Sequence, residues 1–283
     1  MVDQTAASKE LALADWMRMR RRIAIGFSGG VDSAFLAVVA VEAVGAADAL
    51  ALVGRSDSLA GSEEDHALRI ARDIGIPVRE VETGELSDPR YAANPANRCY
   101  FCKRVLWTTL LPIARASGFD TLIDGTNADD LSDYRPGGRA AVEQGVASPL
   151  AEVGLTKPEI RALTQARGWP WWDRPASPCL ASRLPYGTEV TRDRLRQVDA
   201  AESALRAIGI TGNLRVRHHG DLARVEIDRD RLAAWGSGAA LASVIRAVSG
   251  AGYARVEVDP RGFRSGSLNV LEVGGSGAAL SRD

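Results

Sequence analysis

Arg22-Ile23-Ala24-Ile25-Gly26-Phe27-Ser28-Gly29-Gly30-Val31-Asp32-Ser33 runs from a short apolar strand through a Ser-Gly-Gly turn toward an apolar helical stretch, Ala34 to Val44. In a β-loop-α opening of this kind the turn lies at the carboxyl end of the strand, where α/β sheets bind their ligands. Glycines there let backbone N–H groups close on phosphate oxygens, the helix N-terminus adds positive partial charge, and Ser28 and Ser33 offer hydroxyls. The loop has no lysine of the Walker A kind, so transfer of a terminal phosphate is not its natural chemistry. Read alone, Gly29 and Gly30 serve a sharp turn equally well, with Ser28 or Asp32 capping the helix.

Outward from this loop the pattern alternates. Strands at Asp48 to Val53, Val78 to Val81 and Thr121 to Asp124, with helices at Glu63 to Ile74 and Cys102 to Ser117, predict an α/β domain with a parallel sheet covered on both faces. A second pattern follows the proline-containing stretch Trp169 to Pro185. It comprises a helix at Asp193 to Ile208, strands at Leu214 to His218 and Ala223 to Asp228, a helix at Arg229 to Val248 and a strand at Tyr253 to Val258. The turn His219-Gly220-Asp221 makes the two strands a hairpin. The expected organisation is an α/β domain over 1–175, a linker over 176–190, a smaller α+β domain over 191–273 and a disordered tail over 274–283.

Composition excludes several classes. The 283 residues are 46% hydrophobic and 25% charged, which suits a globular protein of two domains. A net charge of −1 supplies no basic field for gripping long nucleic acids. The longest apolar stretch, Ala34 to Val53, is interrupted by Glu42, Gly45 and Asp48, and the first residues do not have the order of a signal peptide. A cytoplasmic protein without a membrane span is expected. Three cysteines, Cys99, Cys102 and Cys179, form an odd set that points to metal or redox chemistry rather than a disulfide framework.

Other candidates gather at the same sheet rim. Asp124-Gly125-Thr126-Asn127-Ala128-Asp129-Asp130 follows the fourth strand, so Thr126 and Asn127 can donate to phosphate or ribose and Asp130 can hold Mg²⁺; an Asx-type turn with a helix cap is the alternative. Ser56 to Glu63 is a candidate nucleotide loop containing Ser58. Arg183, Arg215 and Arg217 have the guanidinium fork that suits a substrate's phosphate or carboxylates, and the latter two alternate on one strand face. His218 and His219, near the hairpin turn, are expected to be exposed, and Glu202 and Glu226 to be solvated. Trp169, Trp171 and Trp172 are assigned to packing at the domain junction and Trp107 to the core. Cys99-Tyr100-Phe101-Cys102 alone fits a dithiol pair, half a zinc site or two small buried hydrophobes.

The string SGGVDS directly after a strand resembles the PP-loop of ATP pyrophosphatases. The resemblance implies that Ser28, Gly29, Gly30, Asp32 and Ser33, with Gly125, Thr126 and Asn127, bind ATP, with Mg²⁺ at the leaving pyrophosphate. The Asp32 carboxylate then serves either a metal ion or a loop amide. Arg98-Cys99-Tyr100-Phe101-Cys102-Lys103, Asp124 to Asn127 with Asp130, Arg135-Pro136-Gly137 and Ser177 to Gly187 together resemble the LarE family of PP-loop sulfur transferases, from the first strand to about Asp228. Members adenylate a carboxylate of pyridinium-3,5-dicarboxylate mononucleotide, a small-molecule substrate, and convert it to a thiocarboxylate.

Carried over, this makes Cys179, Asp32 and Arg183 catalytic and Arg183, Arg215 and Arg217 substrate-binding, with a higher homo-oligomer such as a hexamer expected. One form of the family sacrifices the sulfur of the cysteine matching Cys179. The presence of Cys99 and Cys102 makes this chain resemble the three-cysteine form expected to hold a [4Fe–4S] cluster, fed by a sulfide donor the sequence does not name. Three thiolates leave one iron open to an added sulfide. Structural zinc needs a fourth ligand, and His66, His218 and His219 adjoin no cysteine. Glu202 and Glu226 correspond, more loosely, to metal-collecting carboxylates of the family. Rival readings are a PP-loop tRNA thiolase, which needs a basic RNA surface, an amidating NAD or GMP synthetase, which needs no cysteine triad, and a cluster-bearing regulator without turnover.

Overall fold

The computed structural model describes residues 3–131, 136–175 and 177–264, so the expected tail over 274–283 and Arg135 lie outside the described residues. The chain divides into two compact units, Met1–Tyr91 with Asn97–Ser177, and Ala92–Ala96 with Pro178–Asp283.

In the first unit, β1 (Ile23–Gly26) shows why both faces of its sheet are covered. Ile23 and Ile25 enter one apolar cluster and Ala24 enters the other, as period-two alternation requires. β2 (Ala49–Arg55) repeats the pattern, with Ala49, Ala51 and Val53 on the first side and Leu50 and Leu52 on the second. β3 (Val78–Glu82) and β4 (Thr121–Ile123) complete an all-parallel sheet in the order β3-β2-β1-β4. Nearly continuous apolar strands are what a doubly covered parallel sheet needs.

The first cluster takes residues from α1 (Gln4–Arg18), α2 (Val31–Val44) and α3 (Gly61–Ile74). A one-turn helix, α4 (Pro89–Ala92), precedes α5 (Arg98–Ala116), which lines the second cluster with Trp107, Leu110 and Ala114 beside Ala140 and Ala141 of α6 (Pro136–Glu143). α7 (Pro149–Glu152) and α8 (Lys157–Ala166) add Leu150, Ile160 and Leu163 to the first cluster. α2 is buried on almost every side from Val31 to Ala40, which explains its lack of a polar face. Trp169 and Trp171 stack at 5.4 Å and pack on this unit's own core. α1 escaped the sequence reading because its buried residues, Ala6, Leu13, Trp16 and Met17, are too sparse to mark a face. Among the described residues no single helix is long and apolar enough to cross a membrane.

The second unit is a small α+β structure. α9 (Arg192–Ala207) precedes the hairpin of β5 (Leu214–His219) and β6 (Leu222–Ile227), whose two-residue turn uses Gly220 at φ 67°. The expected helix Arg229 to Val248 is broken into a short 3₁₀ turn, α10 (Leu232–Trp235) and α11 (Gly238–Ser249), bent by 98°. Ser237 is fully extended and Gly238 takes φ 56°, a combination no continuing helix admits. β7 (Arg255–Val258) pairs with β6 in parallel. Leu214, Val216, Ala223, Val225 and Ile227 form its core with Ala201, Leu205, Val244 and Val248.

The short segment Ala92–Ala96 belongs to this unit. Asn94, fully buried at φ 54°, donates through Nδ2 to the carbonyls of Pro185 and Thr188, both at 2.8 Å, and its own carbonyl accepts from Gly187 N–H. The first unit is therefore discontinuous, and not the simple run of residues that composition alone suggests.

Candidate functional site

The turn between β1 and α2 requires its first glycine twice over. Gly29 has φ 70°, and a Cβ there would stand 2.6 Å from the Ala67 Cα of α3. Ser33 Oγ donates to the Gly30 carbonyl at 3.1 Å and accepts from the Ser28 N–H at 3.3 Å, and the two serine hydroxyls lie 3.2 Å apart. The N-cap of α2 is Gly30, which has no side chain with which to cap the helix. Neither Ser28 nor Asp32 takes that place, so the N-terminal end of a buried helix is left presenting its partial positive charge to the rim, as an anion site does.

The loop after β4 meets this turn, because β1 and β4 are parallel neighbours. A Cβ on Gly125 would come 3.0 Å from Ser33 N, so a side chain there would push the two loops apart by a few tenths of an ångström. Asp124 holds the loop, accepting from Thr126 N–H at 3.1 Å, Thr126 Oγ1 at 2.9 Å and Ser148 Oγ at 2.8 Å. Asn127 Oδ1 accepts from the N–H groups of Asp129 and Asp130, while Asp130 Oδ2 accepts from Asn127 N–H at 3.1 Å. Asn127 and Asp130 thus build an Asx-type turn in this structure.

A third element reaches the rim that the sequence reading did not nominate. Lys157, the first residue of α8, forms an ion pair with Asp32 through Nζ, while its backbone N–H donates to Asp129 Oδ2 at 2.7 Å. The signal was available: Thr156-Lys157-Pro158-Glu159 has the spacing of a capping box, and the structure forms it. After β2, Ser58 is buried and its hydroxyl hydrogen-bonds Tyr91 Oη, while Ser56 Oγ donates to Glu85. Burial pushes the Glu85 carboxyl above the usual range, and Thr83 Oγ1 also donates to it, at 2.9 Å. Ser58 therefore shapes its loop from the inside, with Tyr91 and Glu85 as its buttresses.

In the second unit, Cys179 is half-buried and opens the 3₁₀ turn Leu180–Arg183. Arg183 closes back on it, donating from Nη1 to the carbonyls of Pro178 and Cys179, and binds Glu202 in bidentate fashion, with both bonds at 2.9 Å. Arg217 donates to Glu226 at 3.0 and 2.8 Å and to the Ser182 carbonyl at 3.1 Å. Arg215 differs from both. It is 8% exposed, lies 5.3 Å from the Phe263 ring centroid, donates to the Leu214 carbonyl and makes no ion pair among the described residues. Burial, with Arg183 and Arg217 nearby and only Glu202 opposing, pushes its guanidinium down to about 10. Three buried arginines thus face two glutamates, which favours an incoming anion.

Two expectations are overturned in this unit. Glu226 is buried rather than solvated, because Arg217 draws it in. His218 is buried rather than exposed: its Nδ1 lies 3.0 Å from Tyr253 Oη, since β5 runs on through His219 and points residue 218 to the core side. Cys99 and Cys102 fall on the first turns of α5, which starts four residues earlier than expected, and the i, i+3 spacing sets them on one face, exposed and half-buried respectively. Among the described residues no three His, Cys, Asp or Glu side chains are assembled as a metal centre.

This arrangement has relatives. Residues 17–93 match the NAD synthase family model. Over 268 residues, 94% of this chain and 95% of the relative, the chain is 35% identical to the pyridinium-3,5-bisthiocarboxylic acid mononucleotide synthase of Lactiplantibacillus plantarum. It is 44% identical over 248 residues, 88% of this chain and 92% of the relative, to the uncharacterized protein slr1717 of Synechocystis. A glutamine-dependent NAD(+) synthetase of Rhodobacter capsulatus shares 32% over 97 residues, 34% of this chain and 17% of that one. The parallel sheet with its phosphate loop is an adenine nucleotide alpha hydrolase-like domain, and the relationship to the Lactiplantibacillus synthase spans both units, so the chain belongs to the LarE-like family of PP-loop ATP pyrophosphatases.

Proposed function

We propose that the chain is an ATP-dependent sulfur transferase acting on a carboxylate of pyridinium-3,5-dicarboxylate mononucleotide. The carboxylate oxygen bonds to the α-phosphorus of ATP and pyrophosphate leaves; sulfide then bonds to the carbonyl carbon and AMP leaves, giving the thiocarboxylate. Adenylation is needed because a carboxylate is a poor electrophile until its oxygen can depart with a phosphate. The observation that carries the reading is the buried arginine trio in the unit of Cys179, with Arg215 lacking a carboxylate partner among the described residues. It joins a nucleophilic sulfur to a receiver for an anionic substrate, beyond what ATP cleavage alone requires.

Ser28, Gly29, Gly30, Asp32, Ser33, Gly125 and Thr126 are assigned to the phosphates of ATP. Asp32 fits a divalent cation, because its carboxylate already draws the Lys157 ammonium to it. Cys99 and Cys102, one helical turn apart, fit two ligand positions of an iron–sulfur cluster, with Cys179 as the third. A [4Fe–4S] cluster bound by three thiolates supplies an open iron for an added sulfide. A cytosolic homo-oligomer that handles no nucleic acid is part of the same proposal, and light scattering reads the oligomeric state.

Anaerobic reconstitution with iron and sulfide tests the cluster. About four irons per chain, lost alike in Cys99→Ala, Cys102→Ala and Cys179→Ala, are expected. The second reading, sacrifice of the Cys179 sulfur, is favoured by that residue's place beside Arg183. It is recognised by single turnover and by a protein mass reduced by one equivalent of hydrogen sulfide. An iron-free protein that turns over repeatedly sinks the cluster.

A further inference from the structure

A carboxyl group that the proposed reaction does not use lies beneath the loop after β2. Glu85 opens the 3₁₀ turn Glu85–Ser87, is 3% exposed and makes no ion pair among the described residues. Ser56 Oγ donates to its Oε1, and Ser56 in turn organises the loop: its Oγ accepts from Ser58 N–H at 3.0 Å and its carbonyl accepts from Leu59 N–H at 2.9 Å. The Ser58 hydroxyl is held by Tyr91 Oη. The loop runs directly into α3, and the Ala67 backbone of that helix abuts Gly29 of the phosphate loop. Whatever fixes residues 56–60 therefore fixes one wall of the rim.

The hydrogens available to this cluster decide its protonation state. Thr83 Oγ1 carries a single hydrogen, yet it lies 3.0 Å from the Arg55 carbonyl oxygen and 2.9 Å from Glu85 Oε2, and both are acceptors if Glu85 is ionised. Drawn from Thr83 to Glu85, the bond leaves no hydrogen for the contact with Arg55. Drawn from a protonated Oε2 to Thr83, it frees the threonine hydrogen for the Arg55 carbonyl, and every oxygen contact then has its own proton. The surroundings agree. Burial raises the carboxyl above its ordinary range, bonds from its own N–H and from Thr83 oppose the rise, and Asp57 adds to it. The arginines on the neighbouring elements are engaged elsewhere: Arg55 by Glu64, Glu80 and Glu82, and Arg90 and Arg104 by Asp88.

We propose that Glu85 is a positioning residue of the nucleotide site, a neutral carboxylic acid that holds residues 56–60, and α3 behind them, in the form that receives ATP. Its proton stays on Oε2 through the reaction, and no covalent step involves it. Ionisation removes the donor to Thr83 and sets a second negative charge near Asp57 in a buried place, so it opposes the ATP-ready loop. The folded-state value is the raised one, so the stabilising contribution is complete below the ordinary carboxyl range and is lost as pH rises through the folded value. The proposal rests on the ATP-binding reading of this rim and is independent of the acceptor that ATP activates.

The test uses the full chain, Glu85→Gln and Glu85→Leu, with α,β-methylene ATP titrated by calorimetry from about pH 5.5 to about pH 8.5. Glutamine copies the neutral acid, with an acceptor for Ser56 and a donor for Thr83, so Glu85→Gln should bind within about 2-fold of wild type at the acid end and hold its affinity as pH rises. Wild type should weaken by about 10-fold relative to Glu85→Gln across the range, the loss of one buried hydrogen bond. At the alkaline end wild type should also take up a proton on binding that Glu85→Gln does not, read from the dependence of the heat on the buffer's ionisation enthalpy. Glu85→Leu should bind about 10-fold more weakly than Glu85→Gln at every pH. A Glu85→Gln chain that melts as wild type does and yet loses about 10-fold in affinity at the acid end shows that the carboxylate is the working form and overturns the proposal. A ratio of wild-type to Glu85→Gln affinity that does not change with pH overturns it too. A wild-type chain that binds no nucleotide overturns the ATP reading of the rim, and this proposal with it. One that shows the expected pH pattern but never releases pyrophosphate from ATP with a carboxylate acceptor supports the role of Glu85 and overturns the adenylation reading alone.

Discussion

Replacing Arg215 by methionine should stabilise the protein while disabling it. The side chain is almost fully buried, yet its charge is opposed mainly by Glu202, which Arg183 already engages in bidentate fashion. Burial first, and Arg183 second, pull its guanidinium well below its ordinary value, to about 10. At about 1.4 kcal/mol per unit this is roughly 3 kcal/mol against the cation, which solvent screening at a side chain not wholly cut off from water reduces to roughly 1–2 kcal/mol. The folded-state value is the lower one, so the cost is present in full below pH 10 and fades only as pH climbs above about 10 toward the ordinary guanidinium value. Methionine keeps the apolar stem against Phe263 and removes the charge. The expected gain in melting temperature at pH 7 is about 2–4 °C per kcal/mol. Inorganic phosphate should raise the melting point of wild type, by linkage to anions bound only in the native state, and should raise that of Arg215→Met less, because the phosphate loop remains while the arginine site is lost. Differential scanning calorimetry with and without phosphate reads both effects. A variant less stable than wild type by more than about 1 kcal/mol, or one stabilised by phosphate as strongly as wild type, refutes the reasoning, because Arg215 would then be a structural residue whose backbone bond and ring contact outweigh its strain.

Gly29→Ala meets the Ala67 backbone at 2.6 Å and forces φ 70° on a residue with a Cβ, so ATP binding should be lost and stability should fall by about 3 kcal/mol or more, read by urea unfolding. Burial holds the His218 imidazole below its ordinary value of 6.5, with Arg194 and His219 acting in the same direction. The unfolded chain therefore binds the proton more readily, and stability should drop as pH falls through 6.5; His218→Gln should flatten the slope of melting temperature against pH between 7 and 5. Asn94→Ala removes two hydrogen bonds and places a strained φ of 54° on alanine, and should lower stability by about 2 kcal/mol in denaturant titration.

The parallel core was legible because parallel sheets write themselves as apolar runs: Ile23 to Ile25 and Ala49 to Val53 can lie only where both faces are covered. The phosphate loop was legible for a related reason, since Gly29 answers to a contact and a φ that no other residue permits and Gly125 to a close approach of two loops. Contributions that depend on distance along the chain were not. Lys157 reaches Asp32 only after α8 docks, and Glu226 is buried with Arg217, its ion-pair partner diagonally across the hairpin. Periodicity also ran through the break at Ser237, because α10 and α11 share an apolar composition that a straight helix would have fitted equally well. Asn127 and Asp130 have side chains that suit a ligand or their own backbone, and hydrogen-bond geometry, not residue type, separates these uses.

The discontinuity at Ala92–Ala96 bears on the cysteines in a way that motif spacing does not convey. Asn94 is held by Pro185 and Thr188, a few residues beyond Cys179, and the chain then leaves that unit at Asn97 to begin the helix carrying Cys99 and Cys102. Three peptide units separate Ala96 from Cys99, and at 3.8 Å between successive Cα atoms they span at most about 11 Å. The covalent chain therefore keeps Cys99 within that span of Ala96. A dithiol serving redox exchange on its own would need no such tether. For the proposed three-thiolate ligand set, a short connection between contributing segments lowers in advance part of the entropy that binding must bear.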